Sequence, residues 1–226
     1  SSANRGACMQ LCRRSYEVTD VVSGNQLQID NEYIMSPKDL CTIEFMDKMV
    51  DAGVRVFKIE GRARSAEYVK RCSECYRAAA DAVSNGAYSS ELAASLKAKL
   101  VEVFNRGFWD GYYMGAKMGE WSDVYGSHAA KRKVYLGKVT NWFSKLGVAE
   151  ITVETTELHK GDTLMAIGAT TGVVEFPAED IRLEYTPVEL VPKSSICSVK
   201  VDALDENGKP FDKLHRGDKI FIWKDA

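Results

Sequence analysis

Leu158 to Gly168 reads LHKGDTLMAIG, and Leu214 to Asp225 reads LHRGDKIFIWKD. Both begin Leu-His-basic-Gly-Asp, both continue into a β-prone run, and their starts lie 56 residues apart. Each also follows a segment of strand character, VAEITVE at 148–154 and ICSVKVD at 196–202. Two equivalent strand-turn-strand units predict a small closed β-barrel. Glycine permits positive φ and aspartate bonds its own backbone, so the Gly-Asp pairs read as turns. His159, Asp162, His215 and Asp218 therefore take a structural role. Metal binding by the paired histidines would need a third and a fourth ligand, and the spacing suggests none.

Outward from these repeats, the pattern changes character near residue 130. After it come only short strands and turns; before it helices alternate with a few strands. IMSPKDLCTIEFMDKMVDAG (34–53) offers Ser36 as an N-cap, Pro37 at the first helical position and Asp39 three residues after the cap. Leu40, Ile43, Met46 and Val50 follow at helical spacing and Gly53 supplies a stop, which predicts a helix. VRVFKIE (54–60) is a β-rich run ending in EGR. A second helix is expected from Ser65, with Val69, Cys72, Tyr76, Ala79 and Val83 on one face and Asn85-Gly86 ending it. A third carries Leu92, Leu96, Leu100 and Val103 toward FNRGFWDGYYMG (104–115). Helix, strand, helix in this rhythm suggests part of an α/β barrel or a doubly wound sheet.

Bulk composition points to no polyanionic partner. The 226 residues carry a formal charge of -2, with 16 basic and 17 acidic side chains up to residue 130 and 14 and 15 beyond it. Lys131-Arg132-Lys133 is a basic cluster that reads as a solvated linker, with a local nucleic-acid surface as the alternative. Trp142 and Phe143 in VTNWFSKLG offer rings for stacking on bases, or for a hairpin core. Apolar runs fall short of the roughly 20 residues of a membrane span, and the start lacks the apolar core of a signal peptide. A cytoplasmic protein is the expectation.

Six cysteines are too few and too irregular for a secreted disulfide framework. Cys72 and Cys75 form a C-x-x-C, which together with Cys8 and Cys12 would give the four thiolates of a structural zinc. The helical register favours burial instead: Cys72 falls on the apolar stripe and Cys75 flanks it. Cys197 sits inside a strand. Cys41 is expected at the first turn after Ser36-Pro37, where a helix dipole favours a thiolate. Cys8 and Cys12 share a segment with Arg5, Arg13 and Arg14, which favour thiolates too. Local chemistry thus singles out Cys8, Cys12 and Cys41, an incomplete site.

ANRGACMQLCRRSY (3–16), IMSPKDLC (34–41), AGVRVFKIEGRARSAEYV (52–69) with YR following, and FNRGFWDGYYMG occur in one order. In this the chain resembles the collagenase-like peptidase family 32, of unassigned catalytic type, over residues 3 to 119. The resemblance implies an α+β protein. Its residues 1–125 would be the later, C-terminal part of an α/β (TIM-like) barrel domain, followed by a linker at 126–133. Residues 134–226 would form a small all-β barrel like the second domain of translation factors. The chain would then be a C-terminal fragment, which explains a start in mid-motif. Members that modify RNA hold a four-iron, four-sulfur cluster on four cysteines. Carried over, two are Cys8 and Cys41, and the other pair would lie upstream. Cys12 is a companion that is less securely a ligand.

Two activities follow from the resemblance. One is iron-sulfur-dependent hydroxylation of pyrimidines in tRNA or rRNA, or of a quinone precursor, with prephenate as oxygen donor in some relatives. The other is proteolysis, with the β-barrel binding a protein or peptide substrate. The residues show no G-x-S-x-G and no H-E-x-x-H, and His128, His159 and His215 are the only imidazoles. Lys58, Glu60, Arg62 and Arg64 cluster where a barrel strand is expected to end, the place where barrel active sites collect. Arginine suits carboxylate or phosphate recognition. The alternative is a salt-bridge network that closes the barrel.

Overall fold

The computed structural model describes residues 11, 16–27, 36–61, 64–123, 126–205 and 208–226. The chain divides into two compact units, one formed by residues 1–60 and 71–129 and the other by 61–70 and 130–226.

In the first unit, β1 (Val18–Thr19) pairs antiparallel with β2 (Gln26–Leu27). β3 (Asp39–Leu40) runs parallel to β4 (Phe108–Trp109). The helix expected from Ser36 does not start there. Pro37 bridges Trp121, Asp39 and Leu40 are in β3, and a 3-10 turn at Ile43–Phe45 leads into the short α1 (Met46–Asp51). The competing force is an ion pair. Asp39 accepts from the Arg106 backbone N–H at 3.1 Å and from its Nε at 3.0 Å, which holds the segment extended beside β4. The predicted stop is present: Gly53 has φ 93°, and the Val54 and Gly53 amides bond Met49 and Val50 carbonyls. VRVFKIE forms no strand, and Val56 is 85% exposed.

α2 (Ala66–Ser84) buries Cys72, Cys75 and Ala79 on one stripe, as helical spacing requires, but leaves Val69 exposed. Gly86 ends it at φ 68°, with the Ala87 amide on the Ala82 carbonyl and the Gly86 amide on Val83. α3 (Ser90–Val101) is capped by Ser89, whose hydroxyl accepts from the Leu92 amide at 3.2 Å. Ala93, Leu96 and Leu100 form its buried face. Among the described residues this unit shows mixed α/β structure; the full α/β barrel is not seen.

The second unit is built on antiparallel strands. They are β5 (Lys131–Phe143), β6 (Val148–Val153), β7 (Leu158–His159), β8 (Thr163–Gly168), β9 (Gly172–Pro177), β10 (Ile181–Leu183), β11 (Thr186–Pro187), β12 (Leu190–Val191), β13 (Ile196–Lys200) and β14 (Lys219–Asp225). Eight of them form one sheet in the order β11-β10-β13-β6-β5-β14-β8-β9, while β7 pairs with β12. Lys131, Arg132 and Lys133, the basic triplet of the expected linker, open β5 opposite Asp225, Lys224 and Trp223.

This sheet is rolled, as chain connectivity requires. β9 and β10 stand six positions apart in the order but are joined by residues 178–180 alone. Six flat spacings cover about 29 Å, whereas such a connection reaches at most ~15 Å. Gly137 and two register shifts, opposite β6 and β14, bend the long β5. A Cβ on Gly137 would stand 1.6 Å from the Thr152 carbonyl oxygen, so only glycine permits that approach. Inside the roll, alternate residues interlock: Ala149, Ile151 and Val153 of β6 meet Cys197 and Val199 of β13, with Leu164, Phe176 and Ile220 filling the same core.

Both repeats are turns of one construction. Asp162 accepts from the His159 amide at 2.9 Å and Asp218 from the His215 amide at 2.7 Å, with Gly161 and Gly217 at φ 87° and 92°. Leu158 and Leu214 are wholly buried at their bases. The structural reading of these aspartates therefore holds, and both histidines enter the turns through their backbone amides. The strands that follow, β8 and β14, are direct neighbours.

Candidate functional site

Cys41 follows β3, and its amide donates to the Trp109 carbonyl at 3.0 Å, so the β3–β4 pairing fixes its backbone. The thiol is buried. Tyr76, from α2, donates its hydroxyl to Cys41 Sγ at 3.8 Å and accepts from the Thr42 amide at 3.0 Å. Burial pushes the Cys41 thiol up, and the Ile43 amide and the Tyr76 hydroxyl only partly oppose it. The expectation of a dipole-favoured thiolate is thus corrected: no helix begins at Ser36, and the sulfur is a desolvated thiol. Burial, then the neighbouring Cys41, also raises the Tyr76 phenol.

Two residues from this sulfur lies the Asp39–Arg106 pair, both side chains mostly shielded from solvent. Asn105, buried beside it, donates Nδ2 to the Val101 and Val103 carbonyls and accepts from the Gly107 amide. Tyr76, Asp39 and Arg106 escape sequence reasoning, since each partner lies at least 34 residues away and no local spacing joins them. The available signals were the IMSPKDLC and FNRGFWDGYYMG blocks and the YR that follows the third block.

The remaining candidates are scattered. Cys8, Cys12 and Arg62 lie outside the described residues. Lys58 Nζ meets Glu60 Oε1 at 2.9 Å in an exposed pair. The Arg64 guanidinium sits 5.6 Å from the Tyr68 ring centroid. Cys72, Cys75 and Cys197 are buried. Cys197 is pushed up to about 12 by desolvation, and desolvation also raises Cys75. Among the described residues, no three histidine, cysteine, aspartate or glutamate side chains gather as a metal site. His128 and His159 sit in surface contacts with Asp123 and Glu157, at 3.0 and 3.1 Å. His215 Nδ1 lies 2.8 Å from the Thr171 hydroxyl, which donates to Asp218. Trp142 packs against the β core, while Phe143 is exposed.

The profile of peptidase family U32 matches residues 1–123, the unbroken stretch that holds Cys41, Tyr76 and Arg106. The chain belongs to peptidase family U32. A relative of this U32 chain named collagenase, from Porphyromonas gingivalis strain W83, is 53% identical over 219 residues, covering 97% of this chain and 52% of that protein. The tRNA hydroxylation protein P1 of Bacillus subtilis is 31% identical over 145 residues, 62% of this chain and 34% of the relative. The U32 chain therefore spans 52% and 34% of the lengths of these two curated relatives. The C-terminal domain of a Geobacillus thermoleovorans U32 peptidase aligns with 38% of this chain and 88% of its own length, at 16% identity and TM-score 0.32. No helix among the described residues is long and apolar enough to cross a membrane.

Proposed function

We propose that the whole U32 protein is a cytoplasmic, iron-sulfur-dependent enzyme that hydroxylates pyrimidines in tRNA or rRNA. In this reading the first unit is the later part of a TIM-like barrel and the second is a small barrel that positions substrate. The observation that carries it is the state of Cys41. A buried thiol held near the phenol of Tyr76 is a poor nucleophile, because burial keeps it protonated. It suits a metal ligand, since a bound metal deprotonates a coordinating thiol outright. Cys41 fits a four-iron, four-sulfur cluster as one thiolate of four, with Cys8 as a second and two more supplied from outside the described residues. Such a cluster supplies one-electron redox chemistry. This chain's residues would fix the sulfur through Tyr76 and Trp109. They would also present Lys58, Arg62 and Arg64 to anionic groups, including the carboxylates of prephenate as oxygen donor.

The relatives named for tRNA hydroxylation support this reading. A second reading, a peptidase acting on collagen-like substrates, is favoured by the relative named collagenase, which matches 97% of this chain. Iron and sulfide assays on the anaerobically purified whole protein decide between them. Four irons per chain are expected, with Cys41→Ala and Cys8→Ala each losing them. Mass spectrometry of RNA nucleosides from a deletion strain should then show a missing hydroxypyrimidine. An iron-free protein, an intact hydroxylation profile and gelatin cleavage would together transfer the assignment to the peptidase.

A further inference from the structure

Three observations meet on the outer face of the second unit's sheet. The first is a groove of about 1410 Å³ along β6, β13 and the β10–β11 hairpin. Its lining exposes large apolar side chains to solvent: Phe143 by 39%, Leu146 by 67%, Ile196 by 57% and Tyr185 by 93%.

The second is backbone conformation. Among the described residues, the non-glycine positions of positive φ are Glu184 at 45°, Tyr185 at 72° and Ser194 at 68°, and all three line this groove. A two-residue hairpin turn with both φ values positive ordinarily takes Asn-Gly. Here it takes Glu-Tyr between the paired Leu183 and Thr186, and so raises an aromatic ring at the rim. Strain of this kind gathers at functional sites.

The third is an open strand edge. β13 pairs with β6 from Ile196 to Lys200, but with β10 only at Ser198 and Val199. Continuing that register would bring Glu184 opposite Ile196, yet Glu184 has already entered the turn. The Lys200 amide donates toward β10, at 3.1 Å from the Asp180 carbonyl. Main-chain groups alternate sides along a strand, so those of Ile196 face the same way, where β10 has left the ladder.

We propose that this groove docks an extended polypeptide segment, which adds a short strand beside β13 at Ile196 and lays apolar side chains against Phe143, Leu146 and Tyr185. The main chain of Ile196, beyond the last β10 pair at Ser198, supplies the hydrogen bonds of strand addition, and the apolar lining supplies side-chain pockets. Charge selects against a nucleic acid. The groove holds the carboxylates of Glu150, Asp180 and Glu184 against two cations, and Arg182 is already held by Asp180 at 2.8 and 3.0 Å. A phosphate backbone requires an excess of unpaired cations; a neutral or basic polypeptide does not. The site is independent of the redox chemistry proposed for the first unit.

The test is fluorescence anisotropy of the full chain with a labelled peptide of alternating valine and lysine. Its controls are a valine-glutamate peptide, a proline-lysine peptide that lacks half the amides, and oligouridine. The valine-lysine peptide should bind saturably. Tyr185→Ala and Ile196→Asp should each weaken it by about tenfold or more without altering thermal melting, since both positions are exposed. The two control peptides should bind at least about tenfold more weakly, as expected when the amides or the charge match is lost. The proposal is overturned if the folded variants bind like the parent, if the proline peptide binds as well as the valine one, or if oligouridine displaces the probe.

Discussion

Asp162 and Asp218 occupy the same place in two copies of one turn, yet their surroundings differ. Asp218 is only 6% exposed and takes a second hydrogen bond from Thr171; Asp162 is partly open to water. Gly168 makes room for it: a Cβ there would stand 1.9 Å from Asp218 Oδ1. Asp218→Ala leaves the His215 amide without its acceptor and takes from the Thr171 hydroxyl its bond to a buried carboxylate, and should cost about 2–3 kcal/mol, against about 1 kcal/mol for Asp162→Ala, as measured by urea unfolding. Equal losses would mean that burial adds nothing to the turn. The same contrast of exposure governs the thiols. Native Cys41 should resist iodoacetamide at neutral pH and react once the chain is unfolded, a difference that mass spectrometry of the alkylated peptide would reveal. These turns were legible in the sequence because donor, acceptor and glycine all lie within four residues. The state of Cys41 was not, because its phenol partner comes from α2, 35 residues along the chain.

Elements whose signals are local formed where the sequence indicates, and those decided by distant partners did not. Asn85-Gly86 closes α2 and Ser89 opens α3, each through bonds to residues at most five positions away. Ser89→Ala should therefore lower stability by about 1 kcal/mol in thermal or chemical melting, and Ser89→Asp should restore most of it. Ser36-Pro37 carries an equally good helix signature, but Arg106 captures Asp39 and β4 pairs with β3, so the chain stays extended through Leu40. VRVFKIE has strand composition and no strand partner among the described residues. Propensity sets what a segment can do, and pairing at long range settles what it does.

At the scale of the whole molecule, buried thiols tie stability to alkaline pH. Folded Cys197 keeps its proton until about pH 12, whereas the unfolded thiol releases it near 9.0. Between these values the unfolded state binds fewer protons, so the folding advantage present below pH 9 is lost as pH rises. The slope from this group approaches about 1.4 kcal/mol per pH unit, and Cys41 and Cys75 act in the same direction. Urea midpoints should fall steadily above pH 9, and Cys197→Ala should flatten that decline; a parent curve level to pH 11 would contradict the burial of this sulfur. The two-part organisation follows from the change of periodicity near residue 130. Inclusion of residues 61–70 in the second unit was not legible, since nothing in a helix sequence announces that its first turn associates with a sheet read from far downstream.

The order of strands in the rolled sheet has a consequence for biosynthesis. β14 lies between β5 and β8, although it follows β5 by some 75 residues in the chain. As the nascent polypeptide leaves the ribosome, β5–β6 and β8–β9 can zip up as hairpins while the slot between them stays vacant. Their facing edges remain unpaired until Lys219–Asp225 emerges to bridge them. Vectorial synthesis thus leaves two sticky half-sheets waiting for a keystone, and a translation pause shortly before that strand would prolong the interval in which chaperones are needed.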